Sequence, residues 1–454
     1  MGLLSPWLGN RPSAAPGSSL ALVPSLALTL PGGVGGRYFW GYTAFSSALH
    51  LFEQYLELRQ LQKNRETRAP DEVKALGVEE KDFLEAQAYQ KDKRLFSMVR
   101  SWVGFAFSKV CLALVNPAAW RLSARLCGAE NENRTTLLWL LLLQWVEKPL
   151  ELGFGLYRNF VIEEKHGFNK MTYGLFFSDL VKSELLTYAF AGPLIPGLCW
   201  LVRRGGQRFY LYTWGALQGL MFAFMWVYPN FIQPLFNKFE PLKDEELRGK
   251  IENLAVEEEF PLAKLFQVDG SKRSSHSNAY FFGFWKNKRI VIYDTLLTLN
   301  HDQVLAVLCH ELGHWKFGHT TANIAISSAH IFALFWLFGQ VMYSGRSKDL
   351  VRSFGYGETN AVMISLMTYS MLIEPAEQVI QLAMTVRSRA NEFQADAFAV
   401  AKGRGEELAT GLLKMDRENK GDLNPDPLYA WYHFSHPALV ERLRALRAAG
   451  KKGQ

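Results

Sequence analysis

Along most of the chain, apolar blocks of about twenty residues alternate with charged ones. Seven blocks have the length of a membrane-crossing helix: roughly residues 37–57, 96–118, 136–157, 184–202, 209–230, 321–343 and 360–384. They are not uniformly apolar. Glu53 and Arg100 lie within the first two, Glu147, Lys148 and Glu151 within the third, and Glu374 and Glu377 within the seventh. Charges at such depth face a bundle interior or a wet cavity. Seven helices around a water-filled chamber account for all of them; seven lipid-facing helices do not.

The polar stretches between the blocks predict the rest. Residues 58–94 carry Arg59, Lys63, Arg65, Arg68, Lys91, Lys93 and Arg94, and the positive-inside rule places this loop in the cytosol. Alternation then puts residues 231–320 and the tail after 385 on the same side, although Arg203, Arg204 and Arg208 fall on the opposite one. Within 231–320, Lys243–Glu258 has helical period, and Leu265–Asp269 and Arg289–Asp294 read as strands. A further extended run, Ser271–Trp285, precedes the second strand, with Lys286–Lys288 as a hairpin turn. The tail has a helix near Glu406–Glu418 and a final one at 438–448, opened by Pro437. The expected division is a flexible leader (1–35), five spans with their loops (36–230), a soluble lobe (231–320), two further spans (321–384) and the lobe's C-terminal part (385–454). A signal-peptide core at Ala21–Leu30 is disfavoured, because only Arg11 flanks it and Pro24 interrupts it.

Composition adds little to this pattern. The 454 residues are 49% hydrophobic and 14% aromatic, and a mean hydropathy near zero conceals their uneven distribution. A net charge of +7 suits anionic lipid surfaces; no basic motif of the nucleic-acid-binding kind accompanies it. Cys111, Cys127, Cys199 and Cys309 form no CxxC pair and no disulfide framework.

The chemistry centres on residues 300–319, which contain His310-Glu311-x-x-His314. On a helix, positions i and i+4 share a face, so both imidazoles can meet one metal ion. Glu311 is then placed to take a proton from water. Asn300 and Gln303 form a capping-box pattern, and Val304, Leu305, Val307 and Leu308 form an apolar side. Catalytic zinc takes three protein ligands and a water, and Glu392 is the candidate third. Asp396 shares its helix face; one carboxylate ligates while the other accepts a hydrogen bond from a ligand histidine. Cys309, about 100° round the helix from His310, reads as a packed residue, and His319 and His433 as structural.

The run before the zinc helix predicts an exposed strand that pairs with an extended substrate backbone, with packing alone as the alternative. Asn278 would then hold substrate main chain or steady a developing oxyanion. His436, at the N-terminus of the final helix, is placed to hydrogen-bond a tetrahedral intermediate.

His310-Glu-Leu-Gly-His-Trp315, Ser274-Ser-His-Ser-Asn-Ala-Tyr-Phe, Glu163-Glu-Lys-His-Gly-Phe-Asn169, Glu392-Phe-Gln-Ala-Asp-Ala-Phe-Ala and Ser435-His-Pro together resemble the type I CAAX prenyl endopeptidases. The resemblance runs from about residue 36 to the end. It implies an α-helical polytopic membrane protein: seven transmembrane helices forming a barrel around a large chamber, with a thermolysin-like (gluzincin) zinc lobe. It also implies removal of the C-terminal tripeptide from farnesylated CaaX proteins, ahead of isoprenylcysteine carboxyl methyltransferase. Animal members make the second, upstream cleavage of prelamin A as well. Members lie in the endoplasmic reticulum and nuclear inner membranes, with the active site toward the cytosol. By match to the family's motifs, His310, His314 and Glu392 hold one Zn²⁺, Glu311 is the general base, and Asn278 and His436 lie near the substrate and transition state. Where animal members often carry a long acidic insertion, the connection Leu296–Val304 is short. Two other readings remain: a broad membrane quality-control protease like HtpX, and an idle scaffold that binds prenylated tails.

Overall fold

The computed structural model describes residues 36–452, apart from Ala129, Ser277, Asn278 and residues 284–287. The expected leader therefore lies outside the described residues. The first long helix, α1 (Arg37–Lys63), is followed by a short α2 (Asp71–Lys74). Then α3 (Glu80–Val110) continues through a π-helical turn into α4 (Asn116–Cys127). Next come α5 (Glu132–Tyr157), extended by a π-helical turn to Glu163, then α6 (Tyr173–Arg204) and α7 (Phe209–Val227). The lobe holds β1 (Phe239–Pro241), α8 (Glu245–Glu257), β2 (Leu262–Val268), β3 (Ala279–Phe282), β4 (Lys288–Tyr293) and α9 (His301–Lys316). After α10 (His319–Tyr343), α11 (Arg346–Ser353) and α12 (Val362–Ala401) come α13 (Gly405–Glu418), α14 (Pro427–His433) and α15 (Leu439–Lys452).

Every expected span falls on one of these helices. Among the described residues, three stretches suffice to cross a membrane by length and composition alone: Glu80–Cys127, Tyr173–Arg204 and His319–Tyr343. The spans on α1, α5 and α12 are lowered by charged residues, and that on α7 by its Trp, Tyr and Gln positions. All seven nevertheless close into one ring. Neighbours pack in chain order, α1 on α3, α4 on α5, α5 on α6, α6 on α7, α7 on α10 and α10 on α12, and α12 returns to α1.

Two cores cap this ring. Phe39, Trp120, Trp139, Val202, Phe209, Phe338, Phe354 and Val362 form one at the end where α1, α5, α7 and α12 begin. There Arg203 bonds Glu132 at 2.8 Å and the Asn360 carbonyl at 2.9 Å, while Glu132 accepts from the Val362 amide at 2.6 Å. The second core is the lobe, at the opposite end. It draws Val73, Leu76, Val78 and Phe83 from the loop between the first two spans onto Leu247, Ile251, Leu296 and Leu308. Loop 58–94, the lobe and the tail thus share one end of the ring. Between the cores little is packed: the buried residues of α5 are Thr135, Thr136 and Trp139, all near its start. A helix in a solid bundle buries a full face. Some of the polar side chains at this depth meet one another, Lys148 at 2.6 Å from Glu184 and His330 at 2.9 Å from Glu377.

The lobe's sheet has the order β1-β2-β4-β3. The inner pair β2/β4 is parallel and buries Ile290, Val291 and Ile292, while β1 and β3 add antiparallel at the two ends. The strand expected before the zinc helix is β3, paired Ala279↔Ile292 to Phe282↔Arg289. Asn278 and the expected turn residues Lys286 and Asn287 lie outside the described residues.

Candidate metal centre

The helix carrying the two histidines is set by its first turn and its apolar side. Asn300 Oδ1 accepts from the Gln303 amide at 2.8 Å, and Gln303 Oε1 accepts from the Asn300 amide at 3.2 Å, closing the capping box. Val304, Leu305, Leu308 and Leu312 are buried in the lobe core, each contributing about 1.5–3 kcal/mol of apolar burial. Cys309 is fully buried with them, and the four cysteines are unpaired. The opposite face meets α12. A Cβ on Gly313 would stand 3.1 Å from the Ala395 Cα, so the two helices touch backbone to backbone at this point. That contact brings Glu392, buried on α12, to the histidines.

The ligand atoms converge closely. His310 Nε2 and His314 Nε2 are 3.2 Å apart, at 3.4 Å and 3.3 Å respectively from the two oxygens of Glu392. The outer nitrogens fix the tautomers. His310 Nδ1 donates to Asp396 Oδ1 at 2.8 Å, which leaves its Nε2 as a lone pair. His319 Nε2 donates to Gln394 Oε1 at 3.0 Å, so its Nδ1 accepts from His314 Nδ1 at 2.9 Å, and His314 Nε2 is a lone pair too. Two lone pairs and a carboxylate facing one point share no proton. Glu392 Oε2, moreover, is buried without a hydrogen-bond partner. A cation resolves both problems. One nitrogen from each imidazole and one Glu392 oxygen lie within 4.8 Å of one another, near enough for a single zinc ion to draw all three in at bonds of about 2.0–2.1 Å. The donor set, two imidazoles and one carboxylate with an open fourth position, suits catalytic zinc.

The other residues singled out in the sequence fall around this point. Burial raises the Glu311 carboxyl, and the nearby Glu392 carboxylate pushes it the same way. His436 stands at the mouth, its side chain 64% exposed, with Nε2 3.2 Å from Glu392 Oε1 and Nδ1 3.1 Å from Ser435 Oγ. His433 lies apart, its ring against Tyr429.

Two contributors were not anticipated. Arg442 on α15 binds both oxygens of Asp396 and reaches within 3.6 Å of Glu392. His319, read from the sequence as structural, reaches His314 because Gly318 adopts a left-handed φ of +66° and breaks the helix between α9 and α10. Its signal was that glycine.

A profile for the CAAX prenyl protease N-terminal region, with five membrane helices, matches residues 57–238, and peptidase family M48 matches residues 241–449. The CAAX prenyl protease 1 homolog of Arabidopsis thaliana is 42% identical over 416 residues, spanning 90% of this chain and 97% of that protein. The Homo sapiens homolog is 37% identical, spanning 90% and 95%. The chain belongs to the CAAX prenyl protease 1 family. The crystal structure of S. mikatae Ste24p has the same fold, with a TM-score of 0.83 at 36% identity over 90% of this chain and 99% of that one. This CAAX prenyl protease family member is therefore a multi-pass membrane M48 metalloprotease, mostly helical with a small mixed sheet. The M48 match runs through α10 and α12, so the protease half itself supplies two helices of the ring.

Proposed function

We propose that this site hydrolyses the peptide bond after the prenylated cysteine of CaaX proteins, farnesylated ones included, releasing the C-terminal aaX tripeptide. The observation that carries the reading is the convergence of two imidazole nitrogens and a buried carboxylate oxygen within 4.8 Å of one another. His310, His314 and Glu392 would hold one zinc ion per chain, which when bound would supply a Lewis acid for the scissile carbonyl and a lowered pKa for water.

The chain's own groups do the rest. Glu311 takes the proton from the attacking water and passes it to the leaving amine. Asp396, held by Arg442, keeps the His310 proton on Nδ1, and His319 does the same for His314. His436, exposed at the mouth, donates to the oxyanion of the tetrahedral intermediate. The substrate tail pairs with β3, the last strand of the sheet, and Asn278 holds its main chain. The thinly packed, charge-lined middle of the ring admits the polar tail while lipid and apolar walls house the isoprenoid.

Hydrolysis frees a prenylcysteine carboxylate, the group that isoprenylcysteine carboxyl methyltransferase consumes. The compartment this implies is the endoplasmic reticulum and nuclear inner membrane, lobe toward the cytosol or nucleoplasm, with prelamin A a further substrate in animal cells.

The test is cleavage of a farnesylated CaaX peptide with and without a chelator, with product masses measured. Glu311→Gln is expected to keep its zinc and lose about 10²–10⁴-fold in rate. Full activity in that variant, or equal cleavage of the unprenylated peptide, would overturn the reading.

A further inference from the structure

The Glu163–Asn169 stretch has no part in the chemistry above, yet it grips the segment that leads into β3. Gly167, at φ +83°, turns the chain so that Phe168 stacks on His276, ring centroids 4.2 Å apart and 17° from parallel. Asn169 and Ser274 form an antiparallel bridge, and the Ser275 amide donates to the Phe168 carbonyl at 3.3 Å. The His276 imidazole is ringed by three parts of the molecule. Its Nε2 lies 3.4 Å from the Tyr89 hydroxyl of α3 and 3.6 Å from Glu163, which itself accepts from Tyr89 at 3.0 Å. Its Nδ1 meets Asn419, just past α13, at 3.1 Å, and its carbonyl accepts from Thr295 at 3.0 Å. Three residues earlier, Arg273 binds both oxygens of Asp179 on α6, at 2.8 Å and 3.1 Å.

We propose that His276 is a positioning residue for the substrate tail, anchoring the entry of β3 to the membrane ring through Glu163 and Tyr89. Among the described residues β3 has β4 as its one neighbour in the sheet, so a strand that must also receive a peptide needs its start held from elsewhere. The contacts that hold it come chiefly from α3 and the end of the third span, with Asn419 closing the far side. This rests on the reading that β3 receives the substrate. A strand held this way binds ground state and transition state alike, so its loosening appears in KM and spares kcat.

His276→Ala is expected to raise KM for a farnesylated CaaX peptide about three- to tenfold, the worth of one or two hydrogen bonds, with kcat and zinc content near wild type. Glu163→Ala reaches the same imidazole from outside the strand and is expected to reproduce the rise, while Glu163→Gln, which still accepts from Tyr89, restores most of it. Wild-type KM in both alanine variants overturns the proposal, as does a fall in kcat that tracks lost zinc. Glu311→Gln assayed in parallel separates the two levels. If it is inactive and His276→Ala has wild-type KM, positioning alone falls; if it turns the peptide over, the reading of the site falls with it.

Discussion

Arg442 donates to both oxygens of Asp396, Nε at 2.9 Å and Nη2 at 2.6 Å, and the pair is buried beside His310. The fork fixes which way the carboxylate faces, and the carboxylate fixes the proton on His310 Nδ1. A lysine supplies a point charge without that geometry. Arg442→Lys is therefore expected to fold and to bind zinc about 10–100-fold more weakly, measured by competition with a chromogenic chelator. Wild-type affinity would remove Arg442 from the site.

Gly313 offers a test with an unusual sign. In an exposed helix interior, Gly→Ala stabilises by about 1 kcal/mol. Here the added methyl would meet the Ala395 backbone at 3.1 Å and press α12 away from α9. Gly313→Ala is expected to lower both zinc affinity and melting temperature. A higher melting temperature with full zinc occupancy would show that the helices have room to give.

Metal removal should be felt by the fold as well as by the reaction. Without a cation, two lone pairs and a carboxylate face one another at 3.2–3.4 Å. A ligand bound only by the native state stabilises by RT ln(1 + [L]/Kd). Chelation is expected to abolish activity and lower the melting temperature of the wild type, and to leave that of Glu392→Ala unmoved. An equal shift in both would place the chelator's effect elsewhere.

Asp416, on α13, carries a pH dependence of its own. Burial, with Asp422 adding to it, pushes its carboxyl up to about 7. In the unfolded chain the group titrates near an ordinary aspartate value of about 3.9. The native state therefore holds the proton more tightly, and stability falls as pH rises from about 4 to about 7. Asp416→Asn is expected to flatten that slope and raise the melting temperature at neutral pH by several degrees. Parallel pH profiles for the two proteins would contradict it.

The readable parts of this molecule were those whose physics is local. Two histidines four residues apart, a capping pair three apart and apolar blocks of bilayer length each need only a helix to acquire meaning. Glu392 and Asp396 were reachable because their spacing puts both on one face, and the structure divides their contacts, Glu392 to the inner nitrogens and Asp396 to an outer one. Arg442 was not reachable. It is 46 residues from Asp396, and in the sequence it is one basic position among several on an amphipathic terminal helix, distinguished only by burial that the fold creates. The short elements α11, α14 and β1 escaped for a related reason: each is held by neighbours rather than by a pattern of its own.

The helix α12 runs unbroken for 40 residues, from the far core of the ring to the ligand carboxylate. At 1.5 Å per residue, Glu392 lies about 25 Å beyond Pro375, so a change of about 5° in tilt swings it by about 2 Å, enough to undo the coordination. Tilt is how long helices answer a thicker or thinner bilayer. The rate of the same protein is therefore expected to differ between bilayers of different thickness, and equal rates across such bilayers would mean that the packing of α9 and α15 carries the histidines along with α12.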